Sequence, residues 1–309
     1  MYKNLFTFIF VSFVFPCIVW AQSLLPYVYL TFEEEDTSSS ITINFMTTGK
    51  SEPSYAYIDS RPQDQLSQFN QQVESRTGKV KGVGKTYHHV KIDNLAPNTT
   101  YYFYVGDQNI GFSEFYKFKT LPNDNTPIKV LQGGDMGPGR DIVDVAESAV
   151  WDSPHVILIG GDIAYANGKA KNEDRWVKWF ENMNDIMITP DGYLLPLIVA
   201  LGNHETTVGA APFGKNPFYK ELFPQNNGKS YFVRLLGAHT MLLVLDSGHI
   251  KKHKKQRDFI EESFERFADR TNRLAMYHAP LYPNHRGPND YFARKGRKYW
   301  LKLFDKHEL

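Results

Sequence analysis

The sequence holds a single cysteine, Cys17, and it falls within an apolar N-terminal stretch. Once that stretch is removed there can be no disulfide, thiolate zinc site, iron–sulfur cluster or cysteine nucleophile, so any metal must be held by oxygen and imidazole. Charge of one sign is also lacking: 35 basic side chains against 34 acidic ones leave a balance of +1. That balance gives no argument for nucleic acid or an anionic membrane surface as partner. Beyond the first 21 residues no apolar run is long enough to span a bilayer, and there is no internal repeat or low-complexity stretch. What is present, 42% hydrophobic, 22% charged and 15% aromatic over 309 residues, is globular composition with length for two domains.

Residues 1–21 read as a signal peptide. Lys3 supplies a positive start, Leu5 to Val19 an apolar run, and Val19-Trp20-Ala21 a cleavage site before Gln22. An uncleaved anchor is the alternative, opposed by Pro16 and by the shortness of the run. The expected destination is secreted, periplasmic or extracellular, with no membrane span after cleavage.

Two regions of different periodicity follow. From residue 24 to 121 the pattern is short, alternating and β-branched, with strands expected at 27–32, 40–45 and 100–105. Leu95 to Tyr101 resembles the corner before a late strand of a fibronectin type III-like sandwich, with Tyr101 in the tyrosine-corner position. His88 and His89 are adjacent and so point to opposite faces of a strand, which argues against joint metal binding. Residues 122–127 form a turn-rich linker. After it, buried strands alternate with amphipathic helices over 128–309, the mark of an α/β domain. Strands are expected at 128–133, 155–160, 195–201, 230–235, 240–246 and 273–277, with helices near 142–150, 174–187, 254–268 and 295–307.

Four of those strands end in polar residues flanked by glycine or proline: Gly134-Asp135-Met136-Gly137, Gly161-Asp162-Ile163-Ala164-Tyr165, Gly202-Asn203-His204-Glu205 and Tyr277-His278-Ala279-Pro280. In α/β sheets, ligand sites form beyond the carboxyl ends of strands, where several loops converge. Two aspartates, an amide oxygen, a phenol and an imidazole suit oxygen-loving iron, manganese or zinc. Singly, each motif is as well explained by a turn or a helix cap; the four together, in order and each at a strand end, point to a metal site.

The ordered motifs resemble the ligand blocks of the calcineurin-like metallophosphoesterases, and within them of the purple acid phosphatases. The wider superfamily usually has a histidine two residues after the first aspartate, where this chain has Gly137. Purple acid phosphatases use instead a tyrosine three residues after the second aspartate, matching Asp162 and Tyr165. The resemblance covers nearly all of the chain past the leader and implies an αββα sandwich for 128–309. It implies that Asp135 and Tyr165 bind Fe(III), that Asp162 bridges two metals, and that Asn203 and His278 bind a divalent partner (Zn, Fe or Mn). His204 would reach the substrate phosphate and His285 would contact the substrate and protonate its leaving group. A structural role for His204 and a plain loop histidine for His285 are the alternatives. The implied activity is acid phosphatase action on small phosphate monoesters, with a metal-bound hydroxide as nucleophile.

The family has a further block, a strand ending in Gly-His-x-His, which this sequence does not contain. The expectation is therefore a catalytic domain truncated at its C-terminus and of low activity as it stands, since His307 lies at a helix end and is a poor substitute. A phosphodiesterase or nucleotide hydrolase on the same scaffold, and a non-catalytic surface protein with a degraded site, remain the alternatives. The basic runs 251–255 and 294–298 read as solvated surface that can also attract anions.

Overall fold

The computed structural model describes residues 27–48, 53–208 and 214–309, so the expected leader, Cys17 included, lies outside the described residues. The N-terminal half is sheet-rich, with β1 (Tyr29–Thr31), β2 (Ile41–Thr48), β3 (Tyr55–Asp59), β4 (Gln71–Glu74), β5 (Arg76–Gly78), β6 (Lys85–Ile92), β7 (Thr100–Asp107), β8 (Gly111–Phe112) and β9 (Tyr116–Lys119). The second half adds β10 (Val130–Gly133), α1 (Asp141–Val150), β11 (Val156–Ile159), α2 (Glu173–Met183), β12 (Pro196–Val199) and α3 (Pro217–Leu222). It continues through β13 (Phe232–Leu236), β14 (Thr240–Val244), α4 (Arg257–Arg266), β15 (Asn272–Met276), α5 (Tyr291–Gly296) and α6 (Lys302–Lys306).

Strand β7 shows the alternation that its sequence calls for: Tyr101, Phe103 and Val105 are buried while Tyr102 and Tyr104 are partly exposed. Tyr101 lies at the corner, where its hydroxyl accepts a hydrogen bond from Ala96 N at 2.9 Å. His88 and His89 are both satisfied within the sandwich. His88 bridges the Thr47 and Ser75 hydroxyls at 2.9 and 3.0 Å, and His89 Nδ1 meets Asn44 Oδ1 at 2.8 Å.

The two halves share one sheet, in the order β10-β11-β12-β1-β2-β6-β5. The join is β1, which pairs in parallel with β12 (Leu30↔Pro196, Thr31↔Leu197) and antiparallel with β2. A second sheet runs β13-β14-β15 and a third β4-β3-β7-β8, with β9 on β7. Helix α2 seals the join. Its buried Trp176, Trp179, Phe180 and Met183 follow helical spacing, and Tyr29 lies against Phe180 with ring centres 4.8 Å apart. Burying an aromatic side chain contributes roughly 2–3 kcal/mol, so this stripe is a substantial share of what holds the halves together. Arg234, wholly buried, donates to Phe32 O and adds a polar tie.

The expected helix at 295–307 is interrupted: residues 297–301 form a wider i→i+5 turn between α5 and α6. Helix α3 has only six residues, too few for a periodic signal. His307 stacks on Phe264 in the second core, 4.6 Å between ring centres.

The buried histidines set an acid limit on the fold. Burial lowers the pKa of His88 to about 4, and burial with the charges of Arg76 and His88 lowers that of His89 to about 3. Both lie below the ordinary value of about 6.5, so the unfolded chain takes up protons first. Their stabilisation is complete above about pH 6.5 and is lost as pH falls toward 4, on the order of 3 kcal/mol for each. Thermal unfolding followed at pH 7 and 4.5 should show a clear drop in midpoint that is smaller in His88→Asn; equal drops in both proteins would rule out His88 as a source.

Candidate metal centre

Four loops converge at the carboxyl ends of β10, β11, β12 and β15. Backbone hydrogen bonds carry the sheet ladder past the strands into these loops: Asp135 N donates to Gly161 O at 3.0 Å, Met136 N to Asp162 O at 2.9 Å, and Ala200 N to Ile159 O at 2.8 Å. The loops after β11 and β12 touch backbone to backbone. A Cβ on Gly161 would lie 2.6 Å from Gly202 N, and one on Gly202 would lie 2.3 Å from Asp162 N. Only glycine allows that approach.

The geometry brings together all five expected ligands. Asp135, Asp162 and His278 offer ligand atoms that lie within 4.8 Å of one another. His278 Nε2 is 3.2 Å from Asp162 Oδ2 and 3.1 Å from Asn203 Oδ1, and the Tyr165 hydroxyl is 3.3 Å from Asp135 Oδ1. His204 sits on the same side: its backbone N donates to Asp162 Oδ1 at 2.8 Å and its ring lies 4.1 Å from that of Tyr165. His285 does not reach this cluster. It lines a cleft of about 210 Å³ that Asp135 and His278 also line.

The two inner histidines are oriented by hydrogen bonds on their far sides. His278 Nδ1 donates to Gly160 O at 3.0 Å, which leaves the Nε2 lone pair facing the carboxylates. His204 Nδ1 donates to Asn167 Oδ1 at 2.5 Å, which turns Nε2 toward Asp162, 3.9 Å away. Asp135, Asp162, Tyr165 and Asn167 all have φ between 52° and 56°. Left-handed backbone at four non-glycine residues in two adjoining loops costs free energy that the surrounding packing must supply.

Asp162 and His278 stabilise each other's charged forms. Burial favours a neutral Asp162, yet the hydrogen bond and charge of His278 prevail and lower its pKa. Burial likewise opposes charge on His278, and Asp162 more than offsets it, so its pKa rises. The Tyr165 phenol is held well above its usual range by burial and by the charges of Asp162 and Asp135. Carboxylate, amide, phenol and imidazole donors converging with no thiolate fit a hard or borderline metal ion.

The sequence pattern gives Glu205 no role of its own. It is 1% exposed and accepts from Asp162 N at 2.8 Å, Ile163 N at 2.9 Å and Gly202 N at 2.9 Å. Burial and the charge of Asp162 push its carboxyl up to about 7 against those three donors. Asn167 was also missed, five residues past Asp162 and visible only once His204 is placed. His249, buried with its ring 5.7 Å from that of His278, and Phe292, 4.5 Å from His249, form the wall behind the site.

Residues 128–307 match the family described as calcineurin-like phosphoesterase, and residues 26–120 match the purple acid phosphatase N-terminal domain. Among curated relatives, purple acid phosphatase 15 of Arabidopsis thaliana is 26% identical over 189 residues, which cover 49% of this chain and 35% of that protein. Purple acid phosphatase 23 of the same plant is 29% identical over 143 residues, covering 38% of this chain and 30% of its own length. The chain thus spans about a third of these relatives. A solved structure described as that of PhoD superposes with a TM-score of 0.64 at 12% identity, over 93% of this chain and 69% of that one, a likeness of fold. With both matches in sequence order, the chain belongs to the calcineurin-like phosphoesterase family and carries a purple acid phosphatase N-terminal domain.

Proposed function

We propose that this chain acts as an exported acid phosphatase, hydrolysing small phosphate monoesters at a dinuclear centre of Fe(III) and a divalent metal. The observation that carries the reading is the Tyr165 hydroxyl, 3.3 Å from Asp135 Oδ1, beside Asp162. Asp135 and Tyr165 would hold the ferric ion, Asp162 would bridge, and Asn203 and His278 would hold the divalent ion. Such a metal pair, when bound, activates water at acidic pH and offsets the charge of the phosphoryl oxygens.

The chain's own groups do the rest. Protonated at both nitrogens, His204 would donate Nδ1–H to Asn167 and Nε2–H to a phosphoryl oxygen. His285, on the wall of the adjoining cleft, would donate the proton to the leaving oxygen. Glu205 fixes the spacing of Asp162 and Asn203 through the three backbone amides it binds, so the ligands are placed before metal arrives. The apolar leader supports export.

Three outcomes follow. Iron loading should produce a visible phenolate-to-iron absorption band that Tyr165→Phe removes; a band that survives would assign the phenolate to another residue. The chain should hydrolyse nitrophenyl phosphate in preference to its bis ester, and Asp162→Asn should slow it by roughly 10²–10³-fold. Faster turnover of the bis ester would refute monoester specificity. Glu205→Gln places an amide N–H against backbone donors and should weaken divalent-metal affinity in calorimetry by roughly 10–100-fold, while unchanged affinity would make Glu205 a packing residue only.

A further inference from the structure

The cleft beside the metal centre has one wall that the phosphatase chemistry leaves unexplained. Asp135 and His278 form its inner end, and Asn284, His285, Arg286 and Asp290 its outer side. Arg286 is exposed to solvent and makes no ion pair among the described residues. The one carboxylate beside it on that wall, Asp290, is engaged at the start of α5, where its side chain accepts from Phe292 N and Ala293 N. Arg286 therefore lines the cleft with no direct carboxylate partner among the described residues.

Its loop is also held in place. The guanidinium of Arg297 donates to Leu281 O and to Pro288 O, clamping both ends of the segment that carries His285 and Arg286 onto the helical turn behind it. The planar fork of arginine pairs with carboxylate or phosphate through two parallel hydrogen bonds, a geometry that selects as well as attracts. Placed next to the histidine on the leaving-group side, Arg286 is poised for an anion on the departing portion of the substrate. The cleft volume of about 210 Å³ is below the usual range for sites that enclose a drug-sized ligand, which points to a compact group.

We propose that Arg286 recognises a second anionic group, a phosphate or a carboxylate, on the leaving side of the substrate. The proposal rests on the phosphatase reading for the placement of the first phosphate. It makes doubly anionic small phosphate esters the preferred substrate class over simple aryl or alkyl phosphates.

The test is equilibrium binding of three non-hydrolysable probes to the metal-loaded full chain, compared with Arg286→Gln and Arg286→Lys by calorimetry. The probes are methylphosphonate with one anionic group, phosphonoacetate with an added carboxylate, and methylenebisphosphonate with an added phosphonate. Wild-type protein should bind the doubly anionic probes at least ~10-fold tighter than methylphosphonate. Arg286→Gln should erase that preference while leaving methylphosphonate within about twofold, and Arg286→Lys should retain part of it. A gain for both probes assigns a general anion site, and a gain for the bisphosphonate alone assigns a second phosphate. Metal chelation by the bisphosphonate affects wild type and variant alike, so the comparison between them isolates Arg286. An equal loss for all three probes in the variant, or no loss, overturns the proposal. Failure of wild type to bind any probe overturns it together with the phosphatase reading. Binding as expected without hydrolysis of nitrophenyl phosphate keeps the second anion site and overturns the phosphatase reading together with the leaving-side assignment.

Discussion

Sealed between the loops that follow β11 and β12, the Glu205 carboxylate takes hydrogen bonds from Asp162 N, Ile163 N and Gly202 N and has almost no contact with solvent. Three of the five candidate ligands lie against that bracket. Asp162 leaves it on one side, Asn203 on the other, and His278 packs over the glycine contact the bracket draws shut. A buried carboxylate with fewer than its full set of donors is costly, whereas one with three amides rigidifies whatever supplies them. The polar knot adds to the apolar packing of Ile163, Ala164, Ala166 and Leu201, which the same loops bury in the core.

Around the knot the chain runs against its own preferences. Four left-handed non-glycine residues, two adjoining glycine backbones and two aspartates beside a histidine meet at one edge of the sheet. Alternating strands, a helix with one apolar stripe and two hydrophobic cores carry these loops. Free energy gained in those cores offsets strain at the loops. The division also separates tasks, since the strained segments carry the ligands and the relaxed ones fix where the segments begin.

The sequence made the strand ends legible because each of the four motifs puts a glycine or proline beside a polar residue just where an apolar run stops. Asp135, Asp162, Tyr165, Asn203 and His278 could therefore be picked out, and the structure brings all five together. The role of Glu205 was hidden because it acts on backbone amides, which have no sequence signature. Asn167 and Arg286 were hidden because their meaning lies in neighbours far along the chain. The union of the two halves into one sheet could not be read either, since β1 is three residues long and its partner in β12 is most of the chain away. The interruption at 297–301 left no mark because its residues keep helical spacing on both sides.

The placement of β1 has a consequence for how such a chain is made. An N-terminal strand emerging from the ribosome finds β2 soon, yet its other edge must stay open until β12 has been synthesised. An exposed strand edge is a template for pairing with other chains, and distant pairings form late. The interval between the two strands is thus the vulnerable period in the life of this protein, and whatever shields nascent chains during that interval is part of what makes the metal centre attainable.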